Sequence, residues 1–181
     1  KDALKKLLQI DRHLWTWRCY SFCCDHYISC GELAQALKMC DDCISAFPTN
    51  QHGYHDKSKV VKMLTPGMEG INASINVLQT AIDANINCPL CSNTLGEIYL
   101  ELGKFEDALK AFNRTVLDLA IAQPGINESY VFYNRGSCYD RMFIRSLNTN
   151  ALNIELLVNA HNDYVTALQL GELSVITYSQ T

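Results

Sequence analysis

The stretch LGEIYLELGKFEDALKAF, residues 95–112, limits the possible folds of this chain more than any other segment. Apolar residues recur three and four apart on both sides of Gly103, which predicts two short helices joined by a glycine turn. Gly103 is able to take positive φ and end the first helix. Lys104, Glu106 and Asp107 open the second, with the acids near its positive end. Gly96 and Ala108 lack bulk, so the two helices can approach closely there. Tyr99 and Phe112 fill the space alongside.

The same arrangement recurs. With Gly96 taken as position 8 of a unit, Tyr99 is 11, Gly103 is 15, Ala108 is 20 and Phe112 is 24. Cys24, Tyr27, Gly31, Ala36 and Cys40 stand at those positions 72 residues earlier, with Pro48 at 32. Between them, residues 70–89 place Ser74, Leu78 and Ala81 at 20, 24 and 27 of a unit starting at residue 55. A fourth unit opens near residue 129 with Gly136 at 8 and Tyr139 at 11. Its second helix arrives about twelve residues late, with Ala160, Tyr164 and Ala167 in the roles of 20, 24 and 27.

A helix–turn–helix period of 34 with these small and aromatic positions resembles the tetratricopeptide repeat family. Departures are Tyr20, Ser92 and Phe132 where the family has tryptophan at position 4, Thr115 at 27 and Ala120 at 32. The resemblance implies an all-α fold, a right-handed superhelical solenoid of antiparallel helix pairs with about four repeats, one carrying an insertion. The expected organisation is a single domain over residues 1–175 and a tail at 176–181. Its units lie near 17–50, 55–88, 89–122 and 129–170, and residues 1–16 form the second helix of a preceding unit.

Two segments break the ruler. In residues 51–70, four residues stand inserted before the second unit, and Pro66-Gly67 ends its first helix early. A short or distorted helix is expected there, with His52 and His55 in a polar surface loop. In SLNTNALNIELLVNA, residues 146–160, Leu152, Leu156 and Leu157 favour helix, with Asn150 as a cap. That segment reads as a longer first helix, a loop or an early start of the second. Near the N-terminus, Ala3, Leu7 and Ile10 are spaced for one helix face.

Hydrophobic residues make up 48% and charged residues 19%, a globular composition. The net charge of −4 argues against general nucleic-acid binding, and no apolar run approaches the roughly 18–20 residues of a membrane span. Nine cysteines in helical patterns point to buried free thiols and a reducing, cytoplasmic location. Three sequons, at Asn72, Asn113 and Asn127, pull weakly the other way.

Chemistry finds little support. Cys40–Cys43 and Cys88–Cys91 are both CxxC, but 44 residues separate the pairs, too many for paired ligands of a structural zinc site. Cys88 precedes a helix and is the better redox candidate, though no thioredoxin-like βαβ pattern surrounds it. Phosphate-loop, dinucleotide, zinc-protease and serine-hydrolase motifs are absent. No catalytic residue, metal site or cofactor is expected. The alternative is a helical enzyme subunit or a thiol- or metal-dependent sensor using the CxxC pairs.

The resemblance implies instead a protein-interaction scaffold whose first helices line a groove for a partner's peptide or helix. Groove positions 2, 5, 9, 12 and 13 are Arg18, Ser21, Asp25, Ile28 and Ser29 in the first unit. The third unit has Leu90, Asn93, Glu97, Leu100 and Glu101 there, and the fourth has Tyr130, Tyr133, Ser137, Asp140 and Arg141. The expected binding set is Asp25, Asn93, Glu97, Glu101, Tyr130, Tyr133, Ser137, Asp140 and Arg141, with the tyrosines as anchors for a neutral or basic segment. One subgroup of the family grips acidic chaperone tails with lysine at position 5 and asparagine at 9. Here Ser21 and Asp25, or Asn93 and Glu97, stand at those positions. An acid at 9 repels a terminal carboxylate, and Asn134 at 6 is the one matching element.

Overall fold

Gly31, Gly67 and Gly103 have φ of +76°, +82° and +69°, and each stands between two helices. The computed structural model describes residues 2–84, 87–120, 127–149 and 151–179, with side chains for all of these except Asp2 and residues 172–179. The helices are α1 (Asp2–Leu8), α2 (Trp17–Ser29), α3 (Leu33–Ala46), α4 (Gln51–Leu64) and α5 (Met68–Asp83). They continue with α6 (Pro89–Glu101), α7 (Phe105–Leu119), α8 (Glu128–Asn148) and α9 (Ile154–Ser179). A 3₁₀ turn, Arg12–Leu14, follows α1. Among the described residues there is no strand, and the helices pack in adjacent pairs, so the fold is all-α. The chain divides into two units, residues 1–91 and 92–181, with the division inside α6.

In the first unit, the α2–α3 pair closes on two thiols. Cys24 Sγ lies 3.4 Å from Cys40 Sγ, at positions 8 and 24 of the repeat. Tyr20, Cys23, Ala36, Met39 and Cys43 complete the buried surface around them. Trp15 covers the end of this core, donating its indole N–H to the Ile10 carbonyl (3.2 Å) and meeting Tyr20 edge-on. Leu4 is the buried residue of α1, with Leu7 packed partly beside it. The expected face of Ala3, Leu7 and Ile10 is therefore corrected. Helix α1 ends at Leu8, leaving Ile10 beyond it to accept from Trp15 and remain exposed, as does Ala3.

The segment after α3 departs further from expectation. Gln51 begins a 14-residue helix, capped by Asn50 Oδ1 accepting from the His52 N–H at 3.0 Å. His52 and His55 thus lie on a helix and are partly buried, not in a surface loop. Because 17 plus 34 is 51, α4 keeps step with α2, and the expected start at residue 55 moves back by four. In that register Ser58, Gly70 and Ser74 take positions 8, 20 and 24, and all three are buried. A Cβ on Gly70 would run into the carbonyl oxygens of Thr65 and Lys62, so only glycine admits this approach. The additional residues fall at the other end, where α5 has 16 residues against 14 in α3. As expected, α4 stops ahead of Pro66-Gly67, at Leu64.

In the second unit, the Phe112 ring lies directly on Gly96. A Cβ there would be 2.5 Å from Phe112 Cε1. Gly136 meets Tyr164 likewise, with ring carbons 3.0 Å from the same ideal position, so α8 pairs with α9 despite the late second helix. Helix α8 reaches 21 residues, and α9 begins at Ile154 with Asn153 Oδ1 accepting from the Glu155 N–H. The insertion is therefore mostly a longer first helix. The expected cap, Asn150, lies outside the described residues. Arg135 on α8 forks onto Asp163 of α9 with two 2.7 Å bonds and reaches Asn113 of α7 at 3.0 Å. Helix α9 runs on through Ser179, where a tail was expected from residue 176. Neither glycine nor proline follows Gly171, and an established helix propagates at little cost.

Replacing Gly96 by alanine is expected to lower unfolding free energy by about 1–3 kcal/mol, since a ring in a packed core must yield. Urea unfolding of Gly96→Ala with and without Phe112→Leu checks this. The double variant recovers part of the loss if the clash is its cause.

Candidate functional site

Most of the expected groove residues lie in the second unit, on α6 and α8. There they divide into a buried polar link and an exposed aromatic face. Asn134 of α8 donates to Glu97 Oε1 (2.8 Å) and to Asn93 Oδ1 (3.3 Å), while Asn93 donates to Glu97 Oε1 (3.0 Å). Asn93 is 3% exposed, so it serves helix packing and is not groove surface. Leu100 is buried as well, in the cluster that holds Phe112 and Cys138. Glu97 is half-buried and Glu101 is exposed.

On α8, Tyr130 and Tyr133 are 49% and 54% exposed, large for aromatic residues on an ordered helix. The Tyr130 phenol has its pKa raised by burial and by its contact with Glu97. Tyr133 leans on Tyr164 of α9, with ring centroids 5.8 Å apart. Ser137 and Asp140 are half-buried on the same face, and Arg141 is exposed. Ser129 anchors the start of α8 to the Ala167 carbonyl at 2.7 Å. Tyr130, Tyr133, Tyr164, Ala167 and Leu168, with Asn127 and Ser129, line a cleft of about 360 Å³ between α8 and α9.

Tyr164, Ala167 and Leu168 were not expected as walls of a binding surface. A signal for them exists in the sequence. Ile154, Leu157, Val158, Val165 and Leu168 recur at helical spacing, offset from the buried face of Ala160, Asp163 and Ala167. A helix with two apolar stripes has two faces to cover.

In the first unit, Asp25 is exposed on α2. Ser21, at position 5, donates to Asp56 of α4 at 2.5 Å. Asp56 is 7% exposed, with His55 Nδ1 at 3.5 Å and Lys59 Nζ at 4.0 Å. Burial works to raise its pKa, but the bonds from His55 and Ser21 outweigh that and hold the carboxyl below the usual range. His52 stacks on Trp17 with centroids 3.8 Å apart, and burial lowers its pKa. The Ser21 proton points to a carboxylate rather than to an imidazole, so this trio does not activate a nucleophile. It ties α2 to α4.

Seven of the nine cysteines behave as core. Burial pushes the Cys23 and Cys43 thiols up to about 11, and the bond to Cys24 followed by burial raises Cys40 still further. Cys88, the expected redox candidate, is 0% exposed at the start of α6. Its bond with Cys91, followed by the burial of Cys91 itself, raises the Cys91 thiol. A protonated, enclosed thiol is neither nucleophile nor ready ligand. Among the described residues no three His, Cys, Asp or Glu side chains converge to hold a metal ion. No helix there is long and apolar enough to cross a membrane.

Two measurements follow from these environments. A thiol reagent added to the native chain is expected to modify exposed Cys30 quickly and half-buried Cys19 slowly, with the other seven reacting only on denaturation. Stability is expected to fall on acidification. Below its ordinary value of 6.5, His52 resists protonation in the folded state alone, and Asp56 does so below 3.8. Each contribution is complete above those values and is lost as pH drops through the lower folded ones. In urea midpoints measured against pH, Asp56→Asn should flatten the acid limb below about pH 4.

No family model matches the chain, and no curated protein matches it in sequence. Its fold is similar to that of MamA. One crystal structure of MamA aligns with a TM-score of 0.61 at 18% identity, covering 96% of this chain and 88% of that one. MamA AMB-1 aligns at 0.58 and 16%, covering 94% and 89%. MamA from residue 41 onward of Desulfovibrio magneticus RS-1 aligns at 0.56 and 14%, covering 94% and 85%. At such identities the likeness speaks for fold alone, and the fold is all-α, built of tetratricopeptide-like helix pairs.

Proposed function

We propose that this chain is a non-catalytic scaffold that binds a peptide or helix of a partner protein, within a multi-subunit assembly. The observation that carries this reading is the face of α8, where Tyr130 and Tyr133 stand half-exposed above the 360 Å³ cleft. Tyrosine is enriched at binding anchors because its ring gains contact area while its hydroxyl keeps a polar partner. Glu97, Glu101 and Asp140 add acidity on α6 and α8, which suits a neutral or basic segment. Asp25 on α2 offers an acid of the same kind in the first unit. An acidic tail fits poorly, since Asn134 is already engaged by Asn93 and Glu97.

Buried, protonated thiols support a reducing, cytoplasmic setting. The enzymatic and thiol-sensor alternatives draw no support from the CxxC pairs, which lie enclosed in the core.

Chemical cross-linking of the native protein in its own extract, read by mass spectrometry, should attach one protein at sites on α6 and α8. Once that protein is purified, Tyr130→Ala with Tyr133→Ala is expected to weaken its binding at least tenfold, about 1.4 kcal/mol or more, with little change in Tm. Unchanged affinity in the double variant would remove α8 from the binding site, and absence of any cross-linked protein would remove the scaffold reading.

A further inference from the structure

The residues that line the α8–α9 cleft all stand in two stretches, 115–134 and 146–181, that contain no lysine or arginine. At the chain's average of 15 in 181, those 56 positions would hold between four and five. Their one histidine is His161, exposed on α9. Of the basic residues on either side, Arg114, Arg135 and Arg145 pair with Asp118, Asp163 and Glu106. Two carboxylates approach the cleft instead. Glu97 accepts a hydrogen bond from the Tyr130 phenol, and burial followed by the charge of Glu97 raises that phenol's pKa. Burial, then the charge of Asp140, does the same for Tyr164, and Arg141 opposes it more weakly.

Three rings surround the same space. Tyr133 and Tyr164 have centroids 5.8 Å apart at an angle of 48°, too far and too tilted to stack, and Tyr130 lines the cleft beside them. The face of a phenol ring is its negative side, and a cation within about 6 Å of the centroid is attracted to it. One centre can lie within that range of both Tyr133 and Tyr164. A phenol that donates its proton to a carboxylate has a more electron-rich ring, so Glu97 strengthens the Tyr130 face. From this complementarity we propose that the cleft receives the guanidinium of an arginine on the partner's segment, set among Tyr130, Tyr133 and Tyr164 with Glu97 and Asp140 balancing its charge. The proposal rests on the scaffold reading and names the group by which the partner is recognised. Arginine suits a half-open cleft better than lysine does. Its planar, weakly hydrated head lies on a ring while its edges keep their hydrogen bonds, whereas an ammonium must give up strongly held water. An aliphatic side chain would use the rings but set apolar surface beside two carboxylates. Neither stretch of the cleft carries a cation of this kind, which leaves the charge to the bound segment.

The probes are three peptides, Gly-Xaa-Gly with both ends blocked, in which Xaa is arginine, lysine or citrulline. Citrulline keeps arginine's shape without its charge. Each is titrated into the 181-residue chain carrying ¹³C-labelled tyrosine, with ring signals assigned through Tyr130→Phe, Tyr133→Phe and Tyr164→Phe. The arginine peptide should shift the signals of these three tyrosines. It should bind about threefold more tightly than the lysine peptide and about tenfold more tightly than the citrulline peptide. Asp140→Asn should weaken it about threefold and Tyr133→Ala should remove the shifts, both with little change in Tm. Asp107→Asn, which takes an equal charge from an exposed position on α7, should leave binding unchanged. Equal binding of the citrulline peptide, or no shift at these rings with any peptide, overturns the proposal. So does lysine bound as tightly as arginine, since the site then reads charge alone. A dimer in sedimentation that Tyr133→Ala dissolves gives the cleft to a second copy and overturns the partner as source. If the cross-linked protein depends on Tyr130 and Tyr133 while the arginine peptide moves neither ring, the arginine falls and the scaffold reading stands. If the peptide binds as expected but no protein is cross-linked, the scaffold reading falls and takes the partner as source with it.

Discussion

The contact between positions 8 and 24 sets the distance between the two helices of a pair, and other packing follows from it. The fold fills this contact in three ways. Glycine faces a ring twice, at Gly96 with Phe112 and at Gly136 with Tyr164. Two medium thiols meet at Cys24 and Cys40. The α4–α5 pair places serine at both positions, Ser58 and Ser74, and Gly70 lets the α5 backbone come up against the carbonyls of Thr65 and Lys62. Two of the nine cysteines, Cys24 and Cys40, serve this contact. Cysteine is a compact apolar residue that satisfies the 8–24 contact from both sides.

Polar links between successive first helices do a different job. Ser21 with Asp56, and Asn93 and Glu97 with Asn134, are side-chain bonds within largely apolar contacts. A bond of this kind adds little net stability, but sliding one helix by a turn would leave a buried carboxylate or amide unpaired, at about 1–3 kcal/mol or more. Apolar ridges tolerate such slips far better. The links therefore fix which residue of one pair faces which residue of the next. Asp56 shows the electrostatic cost of this, since a carboxylate that nearly excludes water must draw on both Ser21 and His55 to remain charged.

How much of this was readable beforehand depended on residue type. Gly96, Phe112 and Gly136 announce themselves because glycine and aromatic residues at the repeat positions are rare by chance, and Tyr164 follows them about twelve residues late. Ser58, Gly70 and Ser74 carry the same contact silently, for serine and glycine also mark turns and surfaces. For that reason spacing alone places the second unit four residues late and reads HGYH as loop. Asn93 at a groove position reads as surface because spacing cannot reveal that Asn134, 41 residues on, bonds to it. The cleft was missed because α9 was read for the face it packs on α8, while its second stripe, Ile154 to Leu168, followed the same period at a different angle.

That second stripe also bears on why α8 carries Tyr133 where α2 and α6 carry Ser21 and Asn93. A serine or asparagine at position 5 is useful only with its partner in place, and leucine there would add apolar surface beside Val165 and Leu168. Tyrosine suits both conditions. Its hydroxyl reaches water or a carboxylate such as Glu97, and its ring gives up about 150–250 Å² of surface when covered. With two χ angles to fix, it also loses less freedom on binding than a long aliphatic or charged chain. On the proposed reading, a face that is covered only when a partner binds gains from residues that are tolerable in water and favourable out of it. Tyr130, Tyr133 and Tyr164 meet that requirement around one cleft, whereas the two internal faces, permanently covered, use short polar groups matched to a known neighbour.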